Sequence, residues 1–248
     1  MDKIKVGIVN YLNTKPMLYG IERSPVMDRI ELIREYPSRV AHELIKGHID
    51  VGLVPVAVIP QVRGAQIITD YGIACDGPVA SVSLLSNVPM EEIKTVLLDY
   101  QSRTSANLVK ILLESYWKHP VVYEDTREDF GDRIEGGTAG LVIGDRCLNL
   151  RHKVKYVYDL GEAWKNFSKL PFVFAAWVSN KSLPADFIEQ FNEANKAGVL
   201  AIDKVIEATT CADCEPGIYF KENINYLIDS KKRKGLELFL HLLKSVDK

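Results

Sequence analysis

The sequence predicts an α/β fold with a largely parallel sheet. Three observations predict it. Short apolar runs rich in β-branched residues recur, among them "KIKVGIV" (3–9), "IDVGLVPV" (49–56) and "TAGLVIGD" (138–145). Stretches with helical spacing of apolar residues stand between such runs. The connections are short, and strands that alternate with helices pack as parallel units.

Each element has its own signal. "KIKVGIV" reads as a strand buried on both faces. "TKPMLYGIE" follows as a helix, with Pro16 in the first turn, where a missing N–H costs little. "RIELIREY" alternates and reads as a strand. "PSRVAHELIKG" is a helix with Ser38 as candidate N-cap, a face of Val40, Ala41, Leu44 and Ile45, and Gly47 as its stop. "PVASVSLLS" (78–86) is strand-like, and "EEIKTVLLD" gives a turn and then a strand. "SRTSANLVKILLESYW" (102–117) carries Leu108, Ile111, Leu112 and Tyr116 on one helical face. "KYVYDLGEAW" and "LPFVFAAWVS" read as strand, helix and strand. Pro184 opens a helix whose face is Phe187, Phe191 and Ala194, and Leu236, Phe239, Leu240 and Leu243 mark a last amphipathic helix.

Composition narrows the function classes. A chain of 248 residues, 47% hydrophobic and 26% charged, is globular and has room for one large domain or two smaller ones. With a net charge of -2 and no basic stripe, a nucleic-acid partner is not expected. "DSKKRKG" is too short for one and reads as a solvated turn. "MDKIKVGIVN" is not a secretory signal, and no window approaches the ~18 apolar residues of a membrane span, so no membrane partner and a cytoplasmic location are expected. Cys211 and Cys214 form a lone C-x-x-C without the second ligand pair of a structural zinc site. They read as two reduced thiols near a helix end, with metal or redox use as the alternative. The five histidines show no metal-ligand spacing, so no metal is expected.

The chain lacks a phosphate-binding P-loop, a dinucleotide fingerprint and a serine nucleophile elbow. What remains is a set of small polar residues at strand exits and helix entries. Asn13 and Thr14 follow the first strand, and Ser81 lies in "CDGPVASV". Ser102, Arg103, Thr104 and Ser105 open a helix, and Gly144 and Asp145 end a strand. Ligands of open α/β sheets gather at the carboxyl ends of strands, and helix N-termini favour anions. The set therefore points to a small oxygen-rich anion. Taken singly, "SRTS" also fits a plain N-cap and "YLN" a plain turn.

Together, "VNYLNTKPMLYGI", "DVGLVPVAVI", "GIACDGPVASVSLLS", "LDYQSRTSANLVKILL", "LVIGD", "DLGEAWKNFSKLPFVFAAW" and "GLELFLHLL" resemble the chorismate dehydratase (MqnA) family of the futalosine route to menaquinone. The matches run in family order and span almost the whole chain. The resemblance implies a two-lobe fold of the type II periplasmic-binding-protein kind, with a ligand cleft between the lobes. Lobe one is then 1–86 plus 179–248, lobe two is 87–178, and the hinges lie near 87–89 and 176–179. It also implies a hydro-lyase that needs no cofactor, takes chorismate as its small-molecule substrate and removes water to give 3-[(1-carboxyvinyl)oxy]benzoate. Asn13 and Ser81 are then catalytic, while Ser102, Arg103, Thr104, Ser105, Gly144 and Asp145 bind substrate. "IGDRCLNLR" departs from the small residues expected after Gly-Asp. Arg146 there reads as a surface residue, with a carboxylate-binding role in the cleft as the alternative. Two rivals remain: a pure binding protein of the same fold, and the sister cyclic-futalosine lyase, whose "SPCPNDTF"-type first turn this chain lacks.

Overall fold

The computed structural model describes residues 3–100, 103–127 and 129–246. The chain begins with β1 (Ile4–Val9), α1 (Lys15–Glu22), β2 (Ile30–Glu35), α2 (Pro37–Lys46) and β3 (Val51–Pro55), and a long strand β4 (Gln66–Cys75) follows. Next come β5 (Val82–Ser86), β6 (Thr95–Leu98), α3 (Arg103–Ser115), β7 (Val122–Asp125), β8 (Thr138–Ile143), α4 (Gly144–Leu150), β9 (Tyr156–Asp159) and α5 (Leu160–Ser168). The chain closes with β10 (Phe172–Ser179), α6 (Ala185–Leu200), α7 (Ile202–Glu207), a helical turn α8 (Pro216–Ile218), β11 (Asn225–Leu227) and α9 (Ser230–Val246).

Two sheets form. The first has the order β11-β4-β10-β3-β1-β2 and the second β7-β6-β8-β5-β9. Each is mixed, which corrects the expectation of a largely parallel sheet. β1 runs parallel to β2 and β3, and β6 to β7 and β8. β10 is antiparallel to β3 and β4, and β5 is antiparallel to β8 and β9. The physical reason is that β5 and β10 each enter a sheet from the other lobe and so arrive reversed.

Sheet membership also corrects the expected lobe limits. The strand Val82–Ser86 belongs to the second sheet and Phe172–Ser179 to the first. The chain therefore crosses between sheets within 76–81 and again within 160–171, ahead of both expected hinges. The strand expected over 78–86 is shorter for the same reason, since 78–81 is the crossover itself.

One contiguous buried cluster runs from Val6 and Ile8 through Leu84 and Val96 to Leu108 and Trp177, so both lobes share it. A second cluster of Leu85, Leu97, Phe130, Ile134, Val142 and Cys147 covers the other face of the second sheet. β5 is thus buried on both faces along its whole length. Helix α2 starts at Pro37 with Tyr36 in the cap position, so Ser38 is not the cap. Gly47 ends it in the left-handed region, at φ +75°, as expected.

Helices α1 and α6 meet backbone to backbone. A Cβ on Gly198 would lie 1.9 Å from the Pro16 carbonyl oxygen, and one on Gly20 would lie 2.0 Å from that of Ala194. Gly198→Ala must push these helices apart. The expected cost is about 1–3 kcal/mol, read as a lower urea midpoint with an unchanged slope.

Cys211 and Cys214 are joined in a disulfide, which corrects the expectation of reduced thiols. The loop between α7 and α8 holds their Cα atoms 5.5 Å apart, inside the range a disulfide spans. Among the described residues no helix is long and apolar enough to cross a membrane.

Candidate active site

The site grows from the end of β1. After Val9 the chain makes a 3-10 turn, Leu12–Thr14, before α1. Thr14 is buried and fixes this turn: its one hydroxyl proton is shared between the Val9 carbonyl at 2.7 Å and that of Tyr11 at 2.8 Å. The Leu12 N–H donates to Asp145 Oδ1 at 3.3 Å. With its backbone held at both ends, the turn presents the Asn13 side chain to the space between the sheets.

Ser81 comes from the first crossover. Its N–H donates to the Val79 carbonyl at 2.8 Å, and Ala80 between them has φ +64°. A non-glycine residue in that region costs energy and persists only when its surroundings hold it. Here the holder is Asp159, itself buried. Its carboxylate accepts from the N–H groups of Val79 at 3.0 Å and Ala80 at 2.7 Å, and from Gly161 at 2.9 Å and Glu162 at 3.1 Å. One side chain therefore caps α5 and clamps the crossover. Burial pushes the Asp159 carboxyl up from the ordinary range, and these N–H groups pull it back. Arg151 ties the far side, donating to the Ala80 carbonyl at 2.8 Å. The Ser81 carbonyl accepts from Gly144 N–H at 2.7 Å.

Gly144 has φ +64°, a left-handed backbone that favours glycine, and it lies beside the Tyr11 ring, which a Cβ there would meet at an ordinary contact distance of 3.4 Å. Burial pushes the Tyr11 phenol well above the ordinary tyrosine range, and the nearby Asp99 adds to this.

These pieces surround a tight hollow of about 70 Å³. That is below the roughly 300–1,000 Å³ of a typical small-molecule pocket. Asn13, Ser81, Ser105 and Gly144 line it together, as does Tyr11. The rest of the wall is mostly apolar, including Ile73, Val82, Ile143 and Phe174. Among the described residues that line it, none is cationic and none carries a carboxylate, imidazole or thiol.

The other expected binding residues sit outside this lining. Thr104 is buried, and its hydroxyl accepts from the Ala57 N–H at 3.1 Å, so it joins α3 to the first lobe. Arg103 donates to Gln61 at 2.9 Å on the surface. Asp145 turns to the Leu12 N–H, and burial raises its carboxyl above the ordinary range. Ser102 lies outside the described residues. Arg146 is not a plain surface residue: it pairs with the fully buried Asp99 carboxylate at 2.6 Å and lies over the Tyr100 ring.

Tyr219 carries no sequence signal and lies behind the lining, against Ser81. It is fully buried, and its hydroxyl donates to Ser81 Oγ at 2.9 Å. Burial keeps this phenol protonated, its pKa well above the ordinary range.

Comparison with known proteins agrees with this architecture. A chorismate dehydratase of Thermus thermophilus is 24% identical over 261 residues, covering 96% of this chain and 94% of that protein. A crystallised Archaeoglobus fulgidus protein superposes with a TM-score of 0.77 at 15% identity, over 99% of this chain and 97% of that one. A Candida albicans gene product, described as having the generic periplasmic-binding-protein fold, superposes with a TM-score of 0.66 at 13% identity, over 100% and 92%. The two-lobe fold is therefore that of periplasmic binding proteins. The family model for menaquinone biosynthesis matches residues 4–245, and the chain belongs to that family.

Proposed function

We propose that this chain is a chorismate dehydratase, which eliminates water from chorismate to give 3-[(1-carboxyvinyl)oxy]benzoate. Family membership and the Thermus relative support the assignment. The observation that carries it is the convergence of Asn13, Ser81 and Ser105 in an apolar hollow between the sheets.

The chemistry suits such a site. The C3 proton of chorismate is conjugated through C1=C2 to the ring carboxylate. Its removal leaves a dienolate-like anion, which expels the C4 hydroxyl and becomes aromatic. The enzyme must orient two carboxylates, steady the developing charge and keep water out. Ser105, in the first turn of α3, is assigned to one carboxylate. Ser81 and Asn13 are assigned to the leaving hydroxyl and its neighbouring oxygen.

No described lining residue is a strong base, and burial keeps the nearby Tyr11 and Tyr219 phenols protonated. An amide is too weak a base to take the proton unaided. The proton acceptor is therefore assigned to a carboxylate of the substrate, held in place by the neutral donors.

Incubation of the protein with chorismate tests the assignment. Appearance of the aromatic product at multiple turnovers is expected. Unchanged chorismate at stoichiometric protein would make the chain a binding protein of the same fold. Cell fractionation checks the cytoplasmic setting that goes with the enzyme.

A further inference from the structure

We infer that Tyr219 is a positioning residue of the active site, whose hydrogen bond to Ser81 forms a relay that aims the Ser81 hydroxyl proton at the bound substrate. The role presupposes chorismate dehydration in the hollow between the sheets.

Hydrogen counting gives the direction of the relay. The phenol is fully buried and carries one proton, which needs a buried acceptor. Ser81 Oγ, 2.9 Å away, is that acceptor. Ser81 is itself buried, and Tyr219 is the partner of its side chain among the described residues. With its lone pair engaged, its own proton has one open direction, into the hollow that it lines. Hydrogen bonds arranged in series polarise one another, so the Ser81 hydroxyl becomes a stronger donor than a lone serine.

The backbone around Tyr219 supports the role. Tyr219 begins a π-helical turn, Tyr219–Asn223, a rare element that is frequent at functional sites. The last residue of the same turn, Asn223, donates to the Pro78 carbonyl at 3.2 Å. One turn thus grips the crossover at both Pro78 and Ser81. The partners Tyr219 and Ser81 are 138 residues apart in sequence, so the bond fastens the C-terminal third of the chain to the crossover between lobes.

Tyr219→Phe keeps the ring and removes the hydroxyl. The expected result is a fall in kcat on the order of 10- to 100-fold with KM changed less than about threefold. The pH profile of kcat should keep its wild-type shape, because a buried protonated phenol does not exchange its proton with the substrate. The decisive comparison is with Ser81→Ala. If Tyr219 acts through Ser81, the double variant is no slower than Ser81→Ala alone. Full multiplication of the two single effects would overturn the relay, and so would loss of an alkaline limb in Tyr219→Phe. A substrate-free readout separates this role from the function itself. A slowly exchanging Tyr219 hydroxyl proton, seen by NMR in selectively labelled protein, should be present in the wild type and lost in Ser81→Ala. Its absence in the wild type overturns the relay even if chorismate is turned over. Its presence in a protein inert to chorismate removes the assigned reaction and leaves the bond.

Discussion

Asn13→Ala is expected to lower kcat for chorismate dehydration on the order of 100-fold or more, with KM changed only a few-fold. Asn13 is held by a turn whose ends are tied to Val9 and Asp145, so its amide is fixed before substrate arrives. It lines the hollow. Removing it deletes a contact to the reacting oxygens. The loss falls on the transition state, where the charge develops, and so appears in kcat. The fold should be indifferent, because the turn rests on Thr14 and not on Asn13. Equal thermal midpoints with the rate loss are the expected pair of results. Full turnover by Asn13→Ala would remove Asn13 from the chemistry.

Asp159→Ala should be the most damaging single change to the fold, at about 4 kcal/mol or more. The carboxylate serves four backbone N–H groups, and both the α5 N-terminus and the crossover depend on it. Without it those donors are left buried and unpaired. Ala80 would also lose the contact that holds it at φ +64°. Urea unfolding gives the cost, and a loss below about 1 kcal/mol would contradict the clamp. Activity should fall in the protein that remains folded, because Ser81 adjoins the released turn.

The elements were largely readable because apolar spacing reports burial directly. Leu108, Ile111 and Leu112 predicted α3, and all three are buried in it. Strand direction and sheet membership were not readable. β5 and β10 are buried on both faces, so their sequences carry no alternation to say which layer each face meets. Asn13, in the turn after β1, and Ser81, just before β5, both line the hollow that their sequence setting led one to expect. Runs of polar residues were over-read. Thr104 and Ser105 are neighbours on α3, and successive helical side chains point about 100° apart. Ser105 therefore faces the hollow while Thr104 faces Ala57. Gly144 and Asp145 divide in the same way, one lining the hollow and the other turned to Leu12. Tyr219 and Asp159 escaped notice because their partners are far away in sequence, and no local pattern marks a long-range hydrogen bond.

A crystal structure of the protein with 3-[(1-carboxyvinyl)oxy]benzoate bound tests the site most directly. The ring is expected between the two sheets, against Phe174 and Ile73, with product oxygens within hydrogen-bond distance of Asn13, Ser81 and Ser105. Product bound elsewhere, or held in the hollow by a lysine or arginine with those three side chains out of reach, would contradict recognition by neutral donors.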